Sequence, residues 1–235
     1  MGTELAELVF IVDRSGSMSS IASDMEGTIE SVMKEQKGVN EENLRVTFVR
    51  FDSEYEEVFS NTPVKDVEDI KINPRGMTAL LDAMGKTVNT FKTRFLETEE
   101  KDRPEKVLFI IITDGQENAS VEYKRSQVFD LIETMKKDYN WGFTFIGANQ
   151  DAISEGSGVG IRAGDSLNFM STSKGVRRMS DEVTCYATSY LRTGAASFNN
   201  MDSISNDGTT IKADDSNHST DTTNTVDGLD KSDIK

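Results

Sequence analysis

Three short stretches of this 235-residue chain carry oxygen-bearing side chains of the kind a hard cation needs. The first is Asp13-Arg14-Ser15-Gly16-Ser17-Met18, with one carboxylate, two hydroxyls and a glycine that eases a tight turn. The second is Gly76-Met77-Thr78-Ala79-Leu80, and the third is Thr113-Asp114-Gly115. Divalent hard cations take oxygen ligands, and Mg²⁺ accepts few carboxylates while keeping several waters. A D-x-S-x-S turn completed by a threonine and a second aspartate offers that mixture. Each piece also has an ordinary reading. Asp13 or Ser17 would serve to cap a following helix, and Thr78 is a natural N-cap for the helix expected after it.

The elements around these stretches decide whether the three meet. Leu8 to Val12, Val107 to Ile112 and Phe143 to Ile146 are unbroken apolar runs of strand length. Such runs suit strands covered on both faces, as in a parallel sheet. Between them apolar residues fall at helical spacing: Ile21 to Met33, ending near Gly38; Leu81 to Phe95; Val128 to Met135; and Val176 to Tyr190. Val46 to Phe51 and Tyr55 to Phe59 read as strands with three residues between them, too few for a parallel crossover. That pair must be antiparallel, and its acidic second strand suits an exposed sheet edge. The expected fold class is therefore α/β, a doubly wound, mainly parallel sheet with one antiparallel edge strand. In such sheets ligands bind beyond the carboxyl ends of the strands, at a topological switch point. Asp13 and Asp114 both follow strands at that end. Three oxygen-bearing loops in order at one end of one sheet exceed what capping alone explains.

The strings FIVDRSGSM, GMTALLDA and IIITDG closely resemble the metal-ion-dependent adhesion site of von Willebrand factor A domains. The likeness runs more loosely from residue 5 to about 193, and FTFIGANQDA resembles intracellular bacterial members, including phage-borne ones. The resemblance implies a complete site in which the hydroxyls of Ser15, Ser17 and Thr78 and the carboxylates of Asp13 and Asp114 hold Mg²⁺, with Mn²⁺ or Ca²⁺ as alternatives. It also implies an open coordination position that takes an Asp or Glu from a protein partner. The leading expectation is thus a non-enzymatic binding module or adaptor. The alternative is a metal-dependent phosphoester enzyme, or an accessory subunit of an AAA+ ATPase or chelatase-type complex. No G-x-x-x-x-G-K-[ST] loop is present, and Gly156-x-Gly158-x-Gly160 is expected to be a flexible loop.

Composition narrows the classes further. Lys and Arg total 26 against 41 Asp and Glu, a net charge of −15 that disfavours nucleic acid and anionic membranes as partners. The six-residue run Val107–Ile112 is too short to span a bilayer, and residues 1–10 lack a basic leader. One cysteine, Cys185, expected to be buried, fits a reducing compartment, so a cytoplasmic location is expected. The single histidine, His218, excludes a multi-His metal site. Residues 1–196 are expected to form the domain and 197–235 an acidic, disordered tail. That tail holds eight Asp and three Lys without a sustained apolar period. Asp82 is expected to favour the dipole at its helix start or to stand behind the metal ligands. Lys34 to Lys37 is expected to be a solvated face.

Overall fold

The computed structural model describes residues 5–148 and 151–198. Asn149, His218 and the acidic segment from residue 199 onward lie outside the described residues. The strands are β1 (Ala6–Asp13), β2 (Leu44–Phe51), β3 (Tyr55–Pro63), β4 (Lys106–Thr113), β5 (Gly142–Ala148) and β6 (Ser166–Phe169). The helices are α1 (Ala22–Asn40), α2 (Leu80–Glu97), α3 (Arg125–Tyr139), α4 (Ala152–Gly158) and α5 (Ser173–Thr193). Together the strands form one sheet in the order β3-β2-β1-β4-β5-β6, with only β3 antiparallel to its neighbour.

Alternation along β1 divides the interior in two. Leu8, Phe10 and Val12 face the layer that holds Met25 and Ile29 of α1 and Met179 and Val183 of α5. Val9 and Ile11 face Met84 and Val88 of α2 and Val128 and Ile132 of α3. Every residue of β1 is buried, which explains its unbroken apolar run. On the α2–α3 side, Trp141 meets Phe91 and Phe95 edge-on and Phe109 at a tilt, and Phe109 stacks on Phe143 at 4.7 Å. This aromatic packing fills the lower half of that layer, at the opposite end of the strands from Asp13 and Asp114.

Several local expectations are revised. Helix α1 continues through Gly38, and Gln36 is buried with its Nε2 donating to Thr188 Oγ1 on α5 at 2.6 Å. Cys185 is exposed on α5 rather than buried. Gly156 and Gly158 belong to α4, so that stretch is a short helix and no loose loop. Neither α4 nor the four-residue β6 left a pattern long enough to read. Among the described residues no helix is long and apolar enough to cross a membrane.

Ser197 and Phe198, the first residues past the expected boundary at 196, pack against the fold. Phe198 stacks on Tyr186 at 4.4 Å, and its N–H donates to Gly164 O at 2.7 Å. A chain ending at Phe198 is expected to keep the thermal midpoint of the full chain. One ending at Ala196 should lose about 1.5–3 kcal/mol, the burial of one Phe. Thermal melts check the first statement and urea unfolding the second.

Candidate metal centre

β1 and β4 run in parallel register, Val12 opposite Ile112, so Asp13 and Thr113 leave the sheet side by side. The strand order reverses between them, which makes this the topological switch point. Asp13 is fully buried: its Oδ1 accepts the Ser15 N–H at 2.6 Å and its Oδ2 accepts the Thr113 hydroxyl at 2.7 Å. The first of these bonds folds the chain back over its own carboxylate. It brings the Oγ atoms of Ser15 and Ser17 to 2.9 Å, Ser17 lying in a single 3₁₀ turn anchored by buried Met18. Ser17 Oγ in turn donates to Asp114 Oδ1 at 2.6 Å.

Thr78 reaches the same place from the third loop. A Cβ placed on Gly115 would lie 3.0 Å from Thr78 Oγ1, 3.5 Å from Ser17 Oγ and 3.6 Å from Asp13 Oδ2. Oxygens from separate loops thus face one small space that only glycine leaves open. The structure brings all five expected residues together: Asp13, Ser15, Ser17, Thr78 and Asp114. Hydroxyl and carboxylate oxygens without nitrogen or sulfur fit a hard divalent cation. Among the described residues no cluster of three or more His, Cys, Asp or Glu stands as a rival metal site.

Thr78 is not the N-cap of α2. Ala79 takes that position without a side-chain cap, and the free N–H groups of the first turn are met from the segment after β4. Glu117 Oε2 accepts the Leu81 N–H at 2.9 Å and Ser120 Oγ accepts the Asp82 N–H at 3.0 Å. Asp82 answers by accepting the N–H groups of Val121, Glu122 and Tyr123. Thr78 itself donates its N–H to Asn118 Oδ1 and accepts the Asn118 and Ala119 N–H groups. Its hydroxyl is therefore aimed by the chain that carries Asp114. Glu117, Asn118 and Ser120 drew no notice in the sequence, because their partners lie about forty residues away.

A second brace was also missed. Arg14, between the site residues, is buried and turns away from the oxygens. Its Nε donates to Asp52 Oδ2 at 3.1 Å, and Nη1 donates to Glu56 on β3. Arg75 Nε donates to the same Asp52 oxygen at 2.7 Å, and the Arg75 N–H donates to Arg14 O at 2.6 Å. Gly76, at φ 70°, packs where a Cβ would stand 3.1 Å from Asp52 Cβ. The β2–β3 turn thereby ties the Ser15–Ser17 loop to the Thr78 loop. Breaking a buried ion pair leaves a desolvated charge. Asp52→Ala should cost about 3 kcal/mol, read by urea unfolding, and Arg14→Met combined with Asp52→Leu should recover much of it.

Burial pushes the Asp13 carboxyl up to about 6, against the hydrogen bonds from Thr113 and Ser15 that favour its anion. Burial likewise raises Asp114. A raised carboxyl means that ionisation opposes folding. In the metal-free chain this cost is absent below about pH 4, grows between about 4 and 6, and is complete above. Asp13→Asn should reduce that slope, leaving the share due to Asp114, and raise the midpoint at pH 8 in EDTA, as thermal melts across pH will show.

The von Willebrand factor type A domain family matches residues 7–225 of the chain. A search of curated proteins returned no match. Among solved structures, proximal thread matrix protein 1 from the mussel byssus, with its MIDAS motif occupied by zinc, is 16% identical with a TM-score of 0.55. The match covers 78% of this chain and 46% of that one, so this chain spans less than half of its length. The pilus adhesin SpaC from Lactobacillus rhamnosus GG is 10% identical with a TM-score of 0.59, covering 77% of this chain and 30% of that one. A von Willebrand factor type A protein from Catenulispora acidiphila is 13% identical with a TM-score of 0.53, covering 78% and 42%. These likenesses show the shared fold. With the family match spanning most of its length, the chain belongs to the von Willebrand factor type A domain family.

Proposed function

We propose that this chain is a Mg²⁺-dependent protein-binding module, an adaptor whose Asp13, Ser15, Ser17, Thr78 and Asp114 hold the cation and present it to an acidic side chain of a partner. The convergence of Thr78 Oγ1, Ser17 Oγ and Asp13 Oδ2 around the space beside Gly115 carries this reading. A bound dication would supply an open coordination position for a carboxylate oxygen. Ser15, Ser17 and Thr78 contribute neutral donors, so the two carboxylates balance the charge without exceeding it. The relief of two desolvated acids, Asp13 and Asp114, by one cation favours loading. The zinc held by the mussel protein at its own site supports a divalent ion here. The all-oxygen donor set favours Mg²⁺, or Mn²⁺ or Ca²⁺, over zinc.

Binding is preferred to phosphoester chemistry because the guanidiniums carried by the site's own loops, Arg14 and Arg75, are already committed. Arg14 is paired with Asp52 and Glu56, and Arg75 with Asp52 and Glu54. Neither is offered to a phosphoryl oxygen. A cytoplasmic setting, supported by the single cysteine, and a bacterial or phage system, supported by the likeness of FTFIGANQDA, belong to the same proposal.

Metal that binds only the folded state stabilises it. At a hundred times the dissociation constant, Mg²⁺ should add about 2.7 kcal/mol, and Asp114→Ala should abolish the gain. An equal Mg²⁺-dependent shift in the variant would place the ion elsewhere. Acidic partners recovered by affinity capture should bind in Mg²⁺ and dissociate in EDTA, with Thr78→Ala weakening capture after folding is verified separately. Mg²⁺-dependent phosphoester turnover lost in Asp13→Ala would instead establish the enzymatic alternative.

A further inference from the structure

The amino end of the sheet, opposite the loops of Asp13 and Asp114, holds a second buried carboxylate. Glu7 is the second residue of β1 and is only 2% exposed. Strand alternation puts it on the face of Val9 and Ile11, under α2. Its Oε1 accepts the Thr47 hydroxyl at 2.6 Å and Arg94 Nη2 at 2.6 Å. Among the described residues no donor meets Oε2. Burial raises the Glu7 carboxyl, and the Arg94 charge and the two hydrogen bonds offset only part of that. The acid is short of partners.

Strand β3 is shaped to hold this arrangement. Its register slips between the Val46 and Phe48 pairings, and Asn61 in the slip takes a left-handed φ of 50°. The Asn61 N–H donates to Thr47 Oγ1 at 3.0 Å, and neighbouring Ser60 Oγ accepts Arg94 Nη1 at 3.1 Å. Bulges and non-glycine residues at positive φ concentrate beside sites.

A cavity of about 480 Å³ adjoins Glu7, within the range of small-molecule sites. Arg45 lines the same cavity. It stands opposite Glu7 in the β1–β2 register, on the same face, yet Glu7 pairs with Arg94 instead. Among the described residues Arg45 enters no ion pair. Leu5, Phe95 and Pro104 supply an apolar wall, while Glu42 and Asp102 disfavour a plain anion. A ligand that answers both Glu7 and Arg45 carries an ammonium and a carboxylate on one small framework, with an apolar remainder.

We propose that this cavity binds a free α-amino acid with an apolar side chain. The ammonium donates to Glu7 Oε2, Arg45 takes the carboxylate, and the side chain lies against Leu5, Phe95 and Pro104. No metal takes part, so this site stands apart from the cation capture proposed above.

The test is titration of the ¹⁵N-labelled 235-residue chain in EDTA with L-leucine and L-phenylalanine, followed by amide NMR shifts. Either amino acid should move the signals of residues 5–7, 43–47, 61 and 98 while 15–17 and 113–115 stay in place. 3-Methylbutylamine and 4-methylpentanoate are leucine without its carboxylate and without its amine. Each should bind about tenfold more weakly or worse, having lost one charged pair. Arg45→Met changes a half-buried side chain that no ion pair holds, and should lose the leucine shifts in a folded protein. Glu7→Gln should weaken them; if that variant unfolds, Arg45→Met and the two analogues decide. No shift at about 10 mM of either amino acid would overturn the proposal. Equal affinity for leucine and either analogue, or leucine shifts unchanged in Arg45→Met, would overturn it too.

Discussion

A carboxylate with no access to water ends the central strand of this protein, and much of the surrounding structure follows from that placement. Asp13 accepts one hydrogen bond from its own loop and one from the end of β4. Those two bonds shape the Ser15–Ser17 turn and join it to Thr113, the neighbour of Asp114. Desolvation still favours the neutral acid, with the carboxyl at about 6. A buried anion needs positive charge within reach. The one guanidinium in the same loop, Arg14, is directed to Asp52 and Glu56 and does not compensate it.

Arg14 has a separate structural task. Its link to Asp52 and Glu56, together with Arg75, converts three independent loops into one braced unit. On the other side, Glu117, Ser120 and Asp82 exchange hydrogen bonds across the start of α2. Thr78 sits between the two braces. Its orientation is set by backbone bonds to Asn118 and Ala119 rather than by helix capping. Hydroxyl ligands bind weakly one by one, so a site of this composition depends on preorganised loops.

The architecture separates the site from the bulk of the packing. Aromatic stacking among Phe91, Phe109, Trp141 and Phe143 lies toward the opposite end of the strands from the loops of Asp13 and Asp114. Loop chemistry at the carboxyl ends can therefore change without disturbing that core.

By itself the sequence determined the class of the sheet, five of its strands and which loops would meet at one end of it. The runs at Leu8–Val12 and Val107–Ile112 demand burial on both faces, and the three residues between β2 and β3 forbid a crossover. Asp13, Ser15, Ser17, Thr78 and Asp114 were readable because loops at the carboxyl ends of adjacent parallel strands must lie together. Tertiary structure alone decided what aims them. Thr78 looked like a cap, yet Glu117 and Ser120 cap α2. Arg14 carried no reading of its own inside the motif, yet it holds the β2–β3 turn. Cys185 looked buried, yet it faces outward, because one helical position differs from the next only by the packing of α5. Short α4 and β6 also escaped, since seven and four residues carry too few repeats for a period to emerge. Periodicity records which face is buried; pairings between polar groups forty or a hundred residues apart depend on how the chain closes in space, and no local pattern encodes them.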